Sequence, residues 1–87
     1  MKISDEKRMI IDYVSKNNTT ESKRVFDGTY GEWRKIAGED FNGFSKTDAF
    51  ILQDENGNEE KVGIFKMSTS HPESSNSIKD EYTVQPI

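Results

Sequence analysis

Cysteine is absent from these 87 residues, so the chain has neither a disulfide framework nor a thiolate metal site. No apolar run is long enough for a signal peptide or a membrane span, and the expected compartment is the cytoplasm, without membrane association. Leucine occurs once, and Leu, Ile, Val and Phe together number 18, so the core must be small and must lean on five Phe, three Tyr and one Trp. A chain of this length buries only about 60–65% of the surface its unfolded form exposes. The single histidine, His71, lies beside Pro72 in a serine-rich stretch and reads as a solvated side chain. With no second imidazole and no thiol, no activated nucleophile is legible. The glycine-rich motifs that cradle phosphate are also missing. Asp54, Asn56 and Asn58 have the alternation of a calcium loop. Glu59 stands where that loop needs glycine, however, and Phe65 where it needs the bidentate Glu. No catalytic residue, cofactor or metal site is assigned, and the chain is not expected to be an enzyme.

What is present is a hairpin signal at residues 47–67, two apolar runs about Asn56-Gly57. A two-residue turn there pairs Glu55 with Asn58. It then sets Ile51 opposite Val62 and Ala49 opposite Ile64, with Phe50 facing Gly63 and Asp48 facing Phe65 on the reverse side. The apolar face of Ala49, Ile51, Val62 and Ile64 needs cover, because an isolated hairpin is marginal in water. Asp54, Glu55, Glu59 and Glu60 gather at the tip. Such charge is ordinary in a solvated turn, and the sharper reading is an acidic knob offered to a basic partner.

Ser4 suits a helix cap, and Met9, Ile10, Tyr13 and Val14 recur at helical spacing with Ile11 widening the stripe. A helix is expected over residues 5–17. The signal then weakens, and Val25-Phe26 suits either a short helix or a strand. Thr29-Tyr30-Gly31-Glu32 matches a capping box, which places a second helix at 30–37 with Trp33, Ile36 and Ala37 on one face and Gly38 as its stop. Phe41 and Phe44 occupy a polar turn, where they either pin the loop to the core or serve as binding anchors. Residues 68–77 are polar with five serines and read as a linker. Residues 81–85 regain strand character with Tyr82 and Val84 on one face, and Pro86 suits an edge strand.

The expected fold class is α+β: an N-terminal helix and a short second helix packed on a small antiparallel sheet built around the hairpin. Residues 1–67 form the domain, 68–77 the linker and 78–87 a C-terminal segment. The function class that composition favours is a small acidic protein-binding module. Such a module would inhibit or antagonise a nucleic-acid enzyme or other host protein, in the manner of phage, plasmid or immunity proteins. Asp54, Glu55, Glu59 and Glu60 would steer it to a basic surface, and Tyr30, Trp33, Phe41 and Phe44 would anchor it. An open strand at 81–85 would also allow pairing with a second copy. The alternative is a winged-helix DNA-binding regulator, since the expected elements fall in that order, with Arg34 and Lys35 approaching DNA from the second helix. Charge opposes duplex DNA as a partner, because 16 carboxylates outnumber 12 basic residues and the pI is near 4.9.

Overall fold

The computed structural model describes residues 3–18, 20–70 and 78–87; His71 and most of the expected linker lie outside them. The chain forms β1 (Arg8–Val14), β2 (Ser22–Thr29), α1 (Tyr30–Ala37), β3 (Ala49–Gln53), β4 (Glu59–Ser70) and β5 (Lys79–Pro86). The strands make one mixed sheet in the order β2-β1-β5-β4-β3, curled into a half-barrel. The fold is therefore mostly β. Among the described residues there is no N-terminal helix and no winged-helix arrangement.

The segment expected to be the first helix is strand β1. Its run Met9-Ile10-Ile11 with Tyr13 and Val14 is rich in β-branched and aromatic side chains, and Met9, Ile10, Ile11 and Val14 are all buried. A strand covered on both faces loses its alternation, which is why it reads equally well as one face of a helix. Ser4, the expected cap, instead closes a turn: its hydroxyl accepts from the Glu6 N–H at 3.2 Å and its carbonyl from the Lys7 N–H at 3.2 Å. On the outer face Ile10 is flanked by its neighbours Arg8 and Asp12 and by its cross-strand partner Asp27. Arg8 pairs with Asp27 at 2.7 Å, and Arg24 with Asp12 at 3.2 Å.

Strand β5 sits in the middle of the sheet, parallel to β1 and antiparallel to β4. Both of its edges are hydrogen-bonded, so it is no edge strand and offers none to a second copy. Residues 78–87 belong to the same sheet as the rest. The core is one cluster in which Met9, Ile11, Val62, Tyr82 and Val84 from the sheet meet Tyr30 and Trp33 from α1.

The second helix forms where its capping box predicts. The Thr29 hydroxyl accepts from the Glu32 N–H at 3.2 Å, and the Gly38 N–H donates to the Arg34 carbonyl at 2.9 Å, with Gly38 at φ 125°. It buries Tyr30, Trp33 and Arg34, however, and leaves Ile36 69% exposed.

The hairpin also forms, one residue out of the expected register. Ala49 pairs with Gly63, Phe50 with Val62 and Ile51 with Lys61. The loop is longer than a two-residue turn. Asp54 Oδ1 accepts from the N–H groups of both Asn56 and Asn58 at 2.9 Å, Gly57 N–H donates to the Asp54 carbonyl at 3.1 Å, and only Gly57 has positive φ, at 83°. This is a type I turn closed by a glycine bulge. Because side chains alternate, the slip turns Phe50 and Leu52 inward and puts Ala49 and Ile51 outside. Gly57→Ala should cost about 1 kcal/mol through its left-handed backbone alone and lower the thermal midpoint by roughly 4–8 °C, with Gly57→Asn losing less. An unchanged Gly57→Ala midpoint would contradict this turn.

Candidate functional site

Trp33 is the hub of an aromatic cluster. Its ring meets Phe26 at 4.9 Å, Phe50 at 6.0 Å, and Phe41 and Phe44 at 6.2 Å, all edge-on. Phe44 stacks on Phe50 at 4.8 Å and meets Tyr82 edge-on at 4.9 Å. The loop aromatics thus pin the 38–48 loop to the core, and their outward sides line a groove of about 400 Å³. Ile36 and Ala37 of α1 form one wall of this groove, and Asp48, Ala49 and Ile51 at the edge of β3 form the other. Ile36 and Ile51 are exposed at its rim.

The loop is held by Arg34, which is almost fully buried. Its Nε donates to the Phe41 carbonyl at 2.8 Å, Nη2 to the Ile3 carbonyl at 2.6 Å, and Nη1 to the Asp5 carboxylate. The guanidinium also lies 5.8 Å from the Tyr30 ring centroid. Arg34 is a clamp inside the fold and is not available to DNA.

Tyr30, expected among the partner anchors, is fully buried. Its hydroxyl donates to Asp80 Oδ2 at 2.5 Å and lies 2.6 Å from the Tyr82 hydroxyl. Asp80 also accepts from the Thr69 hydroxyl at 2.9 Å and pairs with Lys7 at 3.3 Å. Burial alone would push the Asp80 carboxyl up, but the hydrogen bonds from Tyr30 and Thr69 and the charge of Lys7 outweigh it and hold the group below the ordinary range. Burial, with the acceptor carboxylate beside it, pushes the Tyr30 hydroxyl far upward, so it remains a donor.

The four tip carboxylates do not form one knob. The Asp54 side chain is turned back onto its own loop, and the hydrogen bonds from Asn58 and Asn56 lower its pKa, with Lys23 adding a favourable charge. Glu60 faces the Tyr13 hydroxyl, whose pKa is raised by that hydrogen bond and by burial. Lys23 and Tyr13 come from β2 and β1, so the curl brings the hairpin tip round to the far side of the sheet. Glu55 and Glu59 remain on the exposed tip.

Of the sequence candidates, then, Trp33, Phe41 and Phe44 converge on one groove, Tyr30 is a core group, and the acidic residues are spread around the end of the hairpin. The sequence reading missed Ile36, Ala49 and Ile51 as rim residues because it placed all three in the core. An aspartate opening Asp-x-Asn-Gly was the signal for the longer loop that exposes two of them. Among the described residues no three potential ligands gather as a metal site. Comparison with known families, curated proteins and solved structures gives no match for this chain.

Tyr30→Phe should destabilise the protein by about 2 kcal/mol near neutral pH, since it removes a donor to a partly buried carboxylate. The folded Asp80 titrates below the ~3.9 of an unfolded Asp, so its contribution is complete above that value and is lost as pH falls through the folded pKa. Urea unfolding at a series of pH values should show the gap between Tyr30→Phe and wild type narrowing below about pH 4. A gap that stays constant into acid would show that the hydroxyl does not act through the ionised carboxylate.

Proposed function

We propose that this chain is a small acidic protein-binding module that works by covering a basic surface of its partner, as an antagonist of a nucleic-acid enzyme or similar host protein. The supporting observation is where the apolar groove lies. Residues 38–60, which include the loop, β3 and the tip, carry seven carboxylates and one lysine, a formal charge of −6. The rest of the chain is formally +2 against the net −4. The acidic segment supplies most of the groove's lining, with Asp48 in its wall, and an apolar patch beside an acidic segment suits recognition of a basic surface. The aromatic floor would bury the partner's apolar side chains, and the net negative charge of residues 38–60 would raise the association rate with a positive one.

Two variants at exposed positions test this without unsettling the core. Ile36→Gln keeps a good helix former and should leave stability within ~0.5 kcal/mol. It should weaken capture of the cognate partner from native host lysate about tenfold, through the lost apolar burial. Carrying Glu55 and Glu59 as Gln should lower the association rate and flatten its salt dependence, with dissociation little changed. Unaltered affinity in the first variant together with an unaltered rate in the second would defeat the proposal.

A further inference from the structure

The groove contains an unpaired strand edge, and resting on the binding-module reading, we infer that the partner docks by adding an extended strand of its own, alternating basic and apolar residues, to β3.

The backbone geometry carries this. The Ile87 N–H donates to the Lys61 carbonyl at 3.2 Å, so Lys61 turns its backbone groups toward the β5 side. Ile51, opposite Lys61, is therefore in a non-hydrogen-bonded pair with it and directs its own N–H and C=O away from β4. Two residues along in each direction, Ala49 and Gln53 do the same. At the hairpin end the Asp54 N–H donates to the Asn58 carbonyl at 2.9 Å, which fixes the same alternation. Three N–H and three C=O groups thus line the open edge of β3, and Asp48, Ala49, Phe50 and Ile51 at that edge also form the groove wall.

The two free edges of the sheet are not equivalent. Strand β2 carries a bulge at Val25, where the register skips from Ile11↔Phe26 to Asp12↔Arg24. A bulge of this kind twists an edge away from pairing. Strand β3 is regular and has neither a bulge nor a proline. Charge then selects the occupant. A second copy would bring one −6 segment against another, whereas a strand bearing Lys or Arg on alternate residues would neutralise it and place its apolar residues toward Phe41, Phe44 and Trp33.

The test uses a fluorescein-labelled heptapeptide alternating lysine and valine, titrated into the whole protein at low and high salt. Alongside it run a glutamate–valine peptide and a lysine–valine peptide N-methylated on alternate residues. Expected are salt-sensitive binding of the first peptide, with amide shifts at Ala49, Ile51 and Gln53. Affinity should fall about tenfold on N-methylation, which leaves the protein intact, and comparably in Ile51→Pro, which removes an outward N–H. No binding at about 1 mM peptide, or equal binding of the glutamate peptide, overturns the inference. So does a concentration-dependent dimer formed through β3. Binding that is unaffected by N-methylation and by Ile51→Pro, with shifts confined to Glu55 and Glu59, also rejects strand addition but leaves the acidic-module reading standing. That reading itself fails only if groove and tip variants capture the host partner as wild type does.

Discussion

The groove exists because one buried guanidinium holds three separate pieces of chain together. Arg34 projects from α1 and spends its donors on the Ile3 carbonyl, the Asp5 carboxylate and the Phe41 carbonyl. Its planar fork can satisfy divergent acceptors at once, which an ammonium on a flexible stem cannot do from the same position. The first two contacts tie the N-terminal turn beneath the helix, and the third sets the path of the 38–48 loop. That loop carries Phe41 and Phe44, so the aromatic floor is positioned by a charge lying outside the aromatic cluster. Removing it would leave two backbone carbonyls without their donors and the loop free to drift from Trp33.

A second constraint closes the other side of the core. Strand β5 enters between β1 and β4, and its Asp80 and Tyr82 meet Tyr30 of α1. The helix is thereby fixed to the centre of the sheet at its first turn and to the chain ends of the loop through Arg34. Beyond those anchor points the last residues of α1, Ile36 and Ala37, lie across the groove from β3. The charge distribution adds direction: the acidic segment 38–60 supplies most of the groove's lining, with Asp48 in its wall, while the ion pairs of Arg8 and Arg24 lie between β1 and β2.

How much of this was legible follows from which interactions are local. The capping box of Thr29 and Glu32 and the stop at Gly38 act within one helix, and that helix was readable to the residue. The existence of the hairpin and of strand character at 81–85 was likewise readable. Strand β1 was not, because burial on both faces comes from β2 and β5 and from α1, none of which its own sequence reports. The register failed by a single residue, since Asn56-Gly57 was read as a two-residue turn when the Asp54 side chain organises a longer one. That error hid the site: it put Ala49 and Ile51 in the core and Phe50 on the surface. Trp33, Phe41 and Phe44 were recognisable as candidates from residue type alone, whereas Tyr30 was not separable from them until Asp80 appeared beside its hydroxyl.

Strand addition depends on which backbone groups of β3 face outward, and amide hydrogen exchange of the free protein reads this residue by residue. The structure predicts alternation, with Phe50 and Leu52 protected by β4 and with Ala49, Ile51 and Gln53 exchanging fast at an open edge. The opposite pattern, protected Ala49, Ile51 and Gln53 with fast Phe50 and Leu52, is what a two-residue Asn56-Gly57 turn would give. It would put the backbone groups of Phe50 and Leu52 on the open edge and turn Ala49 and Ile51 to the core, removing the groove built on the observed register.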